Sequence, residues 1–96
     1  MLERDIERRL RERVKSVGGL CLKFITPGFT GVPDRIILLP GGTMAFAELK
    51  APGKRERQRQ LFVQSVLRRL GFTVFSAIDS YEKVEGMFAW CRERSL

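Results

Sequence analysis

The sequence contains no histidine and only two cysteines, Cys21 and Cys91, which lie far apart and outside any CxxC motif. A zinc site of the Cys/His type is therefore excluded, and a disulfide framework is not expected. No apolar stretch approaches the roughly 18 residues of a membrane-spanning helix, and the first residues, MLERDIERRL, are too charged for a signal peptide. We therefore expect a soluble cytoplasmic protein with no membrane partner.

Acidic residues are also scarce, since eleven Asp and Glu stand against eighteen Lys and Arg in 96 residues, giving a net charge of +7. A chain of this length fits a single domain, residues 1–96, and its content of 44% hydrophobic and 30% charged residues is typical of a folded globular protein. The positive field attracts polyanions, of which the phosphate backbone of a nucleic acid is the usual one. An anionic membrane surface is the alternative that charge alone leaves open.

The spacing of apolar and turn-forming residues predicts three helices and four strands. The expected elements are, in chain order, a helix over 2–17, strands over 20–25, 35–39 and 44–50, a helix over 61–70, a strand over 72–78 and a last helix capped by Asp79. This αβββαβα order favours an α/β fold in which helices flank a central mixed sheet.

The second and third strands are joined by the turn Pro40–Thr43 and read as a hairpin. If the turn centres between the two glycines, Asp34 lies opposite Leu49 and next to Glu48. Because side chains alternate along a strand, Glu48 and Lys50 point to the same face. Asp34, Glu48 and Lys50 therefore converge at one end of the hairpin.

Two carboxylates this close repel each other unless a cation or a proton lies between them. A site with oxygen ligands alone suits Mg²⁺ or Mn²⁺, with the peptide carbonyl of Leu49 as a further ligand. A divalent ion and Lys50 together could activate water and stabilise charge on a scissile phosphodiester. The alternative is that Asp34 only forms a turn and that Glu48 and Lys50 only end a strand.

The segment GVPDRIILLPGGTMAFAELKAPGK, residues Gly31–Lys54, closely resembles the VRR-NUC nucleases of the PD-(D/E)xK superfamily. The resemblance continues through Gln60 and GFTVFSAIDS to the last helix. It implies a restriction-endonuclease-like core and a metal-dependent nuclease in which Asp34 and Glu48 bind the ion and Lys50 is catalytic.

The resemblance also implies that a glutamate of the first helix completes the metal site and that Gln60 lies near the reacting groups. Glu3 and Glu7 are one helical turn apart, and Glu7 is favoured; alternatively, both pair with neighbouring arginines. The spacing of Gln60 from Val63 and Leu67 independently places it on the inward face of the second helix. We expect Gln58 and Gln64 at the surface.

Basic residues around the predicted site are candidates for contacts with DNA phosphates, which position the nucleic acid without reading its sequence. They are Lys23, Arg35, Lys54, Arg55, Arg57 and Arg59. A solvated basic loop is the alternative for the last four. Phe29, in the glycine-rich loop, could stack on a base at a branch point, although burial in the core or in a subunit contact is favoured.

The expected function is that of a stand-alone VRR-NUC-like endonuclease, phage-encoded, which acts on branched DNA and resolves four-way (Holliday) junctions. Symmetric resolution needs two cuts, so a homodimer with one site per subunit is expected. No organic cofactor is expected. The competing interpretations are a superfamily nuclease acting on flap, single-stranded or restriction-type substrates, and a basic DNA-binding module without catalysis.

Overall fold

The computed structural model describes residues 1–95, in which helices and strands follow the order αβββαβα that the sequence predicts. The elements are α1 Glu3–Ser16, β1 Leu20–Lys23, β2 Arg35–Leu38, β3 Met44–Leu49, α2 Gln58–Arg69, β4 Thr73–Ile78 and α3 Tyr81–Arg94. β1 is two residues shorter than predicted, and α2 begins three residues earlier.

The four strands form one mixed sheet in the order β1-β2-β3-β4. β1 and β2 pair antiparallel, as do β2 and β3, whereas β3 and β4 run parallel. Parallel neighbours need a crossover connection, and the segment containing α2 supplies it. The sheet therefore presents the end of β3 beside the start of α2.

The register of the β2–β3 hairpin differs by one residue from the sequence-based expectation. Ile36 pairs with Phe46, so Asp34 extrapolates to the level of Glu48 rather than Leu49. The cause is a loop centred on Gly41, closed by a hydrogen bond of 2.8 Å from Leu39 N–H to the Thr43 carbonyl. Gly41 and Gly42 adopt φ of 88° and 89°, which glycine reaches without steric cost.

The main core lies between one face of the sheet and the helices α1 and α3. Its side chains are Ile6, Leu10, Val14, Ile37, Leu39, Ala47, Leu49, Ile78, Val84, Met87 and Cys91. The four-residue spacing of Ile6, Leu10 and Val14 makes one continuous stripe along α1, as the sequence predicts. Burial of this stripe fixes α1 across the sheet.

The opposite face of the sheet is only partly covered. α2 packs on β4 and buries Val63 and Gln64, whereas Leu61 and Leu70 are exposed. Leu61 and Leu70, although apolar, therefore lie on the solvent side of α2. The β1–β2 half of the same sheet face remains open and exposes Leu20, Leu22 and Leu38.

The last helix is capped by Ser80, not by Asp79 as the capping-box spacing suggests. The Ser80 hydroxyl accepts a hydrogen bond of 3.2 Å from the backbone N–H of Lys83. Asp79 instead forms an ion pair of 3.0 Å with the Lys83 side chain. A serine is as good a helix cap as aspartate, so the start of α3 moves by one residue without loss of capping.

Candidate active site

Asp34, Glu48 and Lys50 come together where β2 begins and β3 ends. The backbone N–H of Leu49 donates a hydrogen bond of 3.0 Å to Asp34 Oδ1, which fixes that carboxylate against β3. Lys50 Nζ lies 3.7 Å from Glu48 Oε2. The hairpin thus brings two carboxylates and one ammonium group into a single cluster.

Glu48 is an unusual side chain, because it is acidic and only 4% exposed. Its Oε1 atom is buried and has no hydrogen-bond partner within residues 1–95. Burial, followed by repulsion from Asp34, raises the pKa of Glu48 to about 7, and Lys50 opposes this rise. A buried carboxylate oxygen without a hydrogen-bond partner needs a nearby cation or a proton to offset the cost of its burial.

Burial also raises the pKa of Asp34, an effect opposed by the Leu49 N–H and by Arg35. Two acids with raised pKa values at one location can share a proton, or ionise together if a cation joins them. Among residues 1–95, no three His, Cys, Asp or Glu side chains meet in a metal-binding group. The cluster therefore offers two carboxylates, and any further ligands would be backbone or water oxygens or a side chain that moves.

Gln60 bridges Glu48 and Lys50 from the first turn of α2. Its Nε2 donates to Glu48 Oε2 at 3.2 Å, and its Oε1 accepts from Lys50 Nζ at 3.1 Å. The backbone N–H of Arg57 donates to the same Oε1 at 2.9 Å. The inward position predicted for Gln60 is confirmed, and both ends of its amide are used.

Glu7 lies apart from this cluster. Its carboxylate forms ion pairs of 3.1 Å with Arg35 and of 3.1 Å with Arg11, one turn further along α1. Burial has the largest effect on the pKa of Asp34, and repulsion from the charge of Glu3 raises this pKa further. The structure therefore does not bring Glu7 together with Asp34 and Glu48. Of the two α1 glutamates, Glu3 is the one whose charge affects the pKa of Asp34.

Arg35 occupies a different environment from that of a phosphate contact. Its side chain is 12% exposed and donates to Glu7. Because Glu7 lies on α1, this contact shows that the Arg35 side chain points to the α1 face of the sheet. We therefore correct its expected role, because a side chain enclosed under α1 cannot reach a DNA backbone without breaking its pair with Glu7.

The remaining predicted DNA contacts are exposed: Lys23, Lys54, Arg55, Arg57 and Arg59. Lys23 ends β1, and the other four lie between β3 and the first turn of α2. Arg59 also holds the loop before Asp34, since its Nε donates to the Thr30 carbonyl at 3.0 Å. Four of these five cations therefore lie in the segment that joins Lys50 to Gln60, whereas Lys23 pairs with Arg35 in the sheet.

A second polar network, which the sequence analysis missed, lies behind Gln60. The Glu56 carboxylate accepts hydrogen bonds from Gln64 Nε2 and from the Ser76 hydroxyl. Gln64 is 1% exposed, so its assignment to the surface is wrong. Residues four apart share a helix face, and the spacing of Gln60 and Gln64 could have revealed that both point inward.

The network meets β4 at an irregularity opposite Glu48. Ala47 pairs with Phe75 and Leu49 with Ile78, so β4 carries one extra residue there. Ala77 in this bulge has a φ of 53°, which is rare for a residue with a side chain. Bulges and strained backbone concentrate beside functional sites, where they redirect side chains.

Comparison with known proteins agrees with this arrangement. No family profile matches the chain. It is 41% identical over 80 residues to “Putative nuclease p44” of Acyrthosiphon pisum secondary endosymbiont phage 1, covering 83% of this chain and 85% of the phage protein. A solved structure described as a VRR_NUC domain superposes with a TM-score of 0.82 at 28% identity, covering 91% of this chain and 94% of that one.

The chain belongs to the VRR-NUC nucleases. This VRR-NUC protein is accordingly a nuclease, and the family resemblance found in its sequence is confirmed. The matched regions of both relatives span most of the chain, so they include the hairpin that carries Asp34, Glu48 and Lys50. Within residues 1–95, the three helices are too short or too polar to cross a lipid bilayer.

Proposed function

We propose that this VRR-NUC nuclease is an endonuclease that cuts branched DNA, four-way junctions in particular, with Mg²⁺ or Mn²⁺ as cofactor and as a homodimer. The observation that carries the proposal is the buried Oε1 of Glu48, which has no hydrogen-bond partner in the described chain and lies beside a second carboxylate. Such an atom is stabilised by a cation.

The donor set fits a hard divalent ion. Asp34 and Glu48 would hold it through carboxylate oxygens, and the Leu49 carbonyl is a further candidate on the same strand end. Mg²⁺ usually retains several waters and uses one or two protein carboxylates, so two acids are sufficient. Glu3 is the candidate for a third carboxylate, in place of the predicted Glu7. When bound, the ion would polarise a phosphoryl oxygen and lower the pKa of water.

Lys50 is the candidate catalytic residue. Its ammonium is held by Gln60 Oε1 at 3.1 Å and by Glu48 Oε2 at 3.7 Å, so it is oriented before substrate binds. From there it can donate a hydrogen bond to the attacking water or to a phosphate oxygen that gains charge in the transition state. Gln60 maintains the separation of Glu48 and Lys50.

The positive residues around the cluster support DNA as the substrate. Lys54, Arg55 and Arg57 are exposed in the segment between Lys50 and Gln60, and Lys23 is exposed at the end of β1. All four would bind backbone phosphates without reading the sequence. Such contacts weaken as salt concentration rises. The phage origin of the p44 relative supports action on DNA inside an infected bacterium.

Dimerisation is supported by the open β1–β2 half of the sheet. It exposes Leu20, Leu22 and Leu38, and the strand partners of Leu20 and Leu22 in β2 are uncharged. Symmetric cutting of a junction also needs two active sites. Light scattering should give about 22 kDa, twice the 11.0 kDa of one chain. Leu22→Lys should shift the mass to one chain, whereas Leu70→Lys, an exposed control on α2, should not.

The decisive experiment is a cleavage panel of duplex, flap, splayed-arm and four-way DNA, with and without Mg²⁺ or Mn²⁺. We expect symmetric nicks in the four-way substrate that EDTA prevents. Asp34→Asn and Lys50→Ala should abolish cutting and retain DNA binding, while Glu93→Gln, on the exposed side of α3, should cut normally. Binding without nicking by the unaltered protein would instead identify a non-catalytic DNA-binding module.

A further inference from the structure

Two exposed aromatic rings lie against one arginine beside the candidate active site. The Arg59 guanidinium carbon is 4.9 Å from the centre of the Phe29 ring and 5.6 Å from that of Phe62. The two phenylalanines remain 50% and 53% exposed. Burial of Phe29, which the sequence analysis favours, is therefore wrong for the single chain. We call these three residues the Phe29–Arg59–Phe62 stack.

The stack is held in place on both sides. Arg59 Nε donates to the Thr30 carbonyl at 3.0 Å, and the Thr26 hydroxyl donates to the Phe29 carbonyl at 2.7 Å. Gly31, with a φ of 89°, approaches so closely that an added Cβ would lie 2.7 Å from Arg59 Cγ. These contacts hold the loop against α2 and place the Phe29 ring beside Arg59.

Arg59 and Gly31, which hold the stack together, are close in sequence to residues of the active site. Arg59 precedes Gln60, whose amide bonds Glu48 and Lys50. Gly31 is three residues before Asp34, which limits the separation of their Cα atoms to about 11 Å. The exposed cations Lys54, Arg55 and Arg57 precede Arg59 in the chain. A nucleotide near the scissile phosphate would therefore be within reach of the rings.

We propose that the Phe29–Arg59–Phe62 stack binds an unpaired nucleobase next to the cleaved phosphodiester. Aromatic rings and guanidinium planes both stack on base faces, with little regard to sequence. A base inside an intact duplex is stacked on its neighbours, so the stack would select DNA in which a base is free at a branch, flap or nick. This inference rests on the proposed function, because it deepens the substrate preference of the same site.

A second copy of the chain is the competing occupant of two exposed aromatic rings. The charge of the surroundings favours nucleic acid, since Arg59 and the neighbouring Lys54, Arg55 and Arg57 would repel the same residues of a partner. The open half of the sheet, with Leu20, Leu22 and Leu38, lacks this positive charge and is the more suitable surface for self-association. We therefore assign base binding to the stack and self-association to the open half of the sheet.

The test is a cycle that changes protein and DNA together. Dissociation constants are measured by fluorescence anisotropy in EDTA, so that no cutting occurs, with branched DNA that carries an abasic site at each nucleotide near the branch. Phe29→Leu/Phe62→Leu retains apolar bulk and removes the aromatic faces. Leu61→Ala, at an exposed apolar residue adjacent to Phe62, is the matched control.

At one nucleotide, loss of the base should weaken binding by unaltered protein and by the control roughly 10-fold. The same loss should leave binding by the double variant unchanged. Equal effects on both proteins, or no abasic effect at any position, would overturn the proposal, as would a change in solution mass in the double variant. Base-dependent binding without metal-dependent cleavage would contradict only the proposed endonuclease function. Metal-dependent cleavage without base-dependent binding would contradict only the base-binding role of the stack.

Discussion

Gln60 Nε2 donates a hydrogen bond of 3.2 Å to Glu48 Oε2, linking the first turn of α2 to the last residues of β3. The other end of the same amide accepts from Lys50. A crossover helix therefore fixes the position of Glu48, near the end of β3, relative to Lys50, which directly follows that strand.

Replacement of Gln60 should slow cleavage. In Gln60→Ala, Glu48 and Lys50 lose their shared partner, and we expect kcat to fall about 10- to 100-fold, the usual cost of removing a residue that orients metal ligands. KM for DNA should change little, because Gln60 lies behind the cluster. Steady-state cleavage kinetics give both constants. Gln58→Ala, exposed in the same helical turn, is the control; an equal loss there would show only a helix defect.

The metal-free protein should lose stability as pH rises. Burial, then Asp34, raises the pKa of Glu48 to about 7 from its ordinary 4.5, so the folded state binds more protons than the unfolded state between these values. The free energy of unfolding should therefore fall from about pH 4.5 to 7, by roughly 3 kcal/mol for a shift of this size.

Urea titrations in EDTA across this pH range test the effect. Glu48→Gln, which cannot ionise, should reduce the pH dependence, leaving the smaller contribution of Asp34. Saturating Mn²⁺ should raise stability most at the higher pH, because an ion binds the deprotonated acids. An unchanged slope in Glu48→Gln would contradict the assignment of this titration to Glu48.

Disruption of the network behind Gln60 should affect stability as well as rate. In Glu56→Ala, the buried Gln64 amide and the Ser76 hydroxyl lose their acceptor, at a cost of about 1–3 kcal/mol in the free energy of unfolding. The start of α2 should loosen with it, lowering kcat. Urea denaturation and cleavage assays measure the two effects. Glu93→Ala, a control at an exposed residue of α3, should change neither.

Glu3 and Glu7 should respond differently to removal of charge. Glu7→Gln leaves Arg35, 12% exposed, without its ion-pair partner, so stability should fall by about 1–3 kcal/mol with little change in the concentration of Mn²⁺ needed for half-maximal cleavage. Glu3→Gln should raise that concentration about 10-fold and leave stability unchanged. The reverse pattern would restore Glu7 as the third carboxylate.

The sequence predicts the β2–β3 hairpin and the residues at its end, but not its exact register. The Pro-Gly-Gly turn and the alternation of side chains were enough to bring Asp34, Glu48 and Lys50 together, because strand pairing is local. The register was nevertheless wrong by one residue, since the choice between a two- and a three-residue loop depends on backbone geometry around Gly41. The error left the cluster intact because Asp34 lies at the end of its strand, where it reaches the Leu49 N–H.

Long-range contacts account for the other errors. The sequence-based placement of Gln64 at the surface is wrong, because helical period orders residues around an axis but does not say which side meets the sheet. Glu7 and Arg35 looked like a ligand and a DNA contact, and they bind each other across 28 positions of sequence. Their pairing depends on how α1 crosses β2.

The amino-acid sequence alone determined the αβββαβα order, the positive charge and the meeting of two acids with a lysine, since each depends on local periodicity or on composition. Tertiary structure alone decided the Gln60 bridge, the Glu56 network, the bulge at Ala77 and the exposure of the Phe29–Arg59–Phe62 stack. These features join residues on different elements, and their energies arise only when helices and strands pack together.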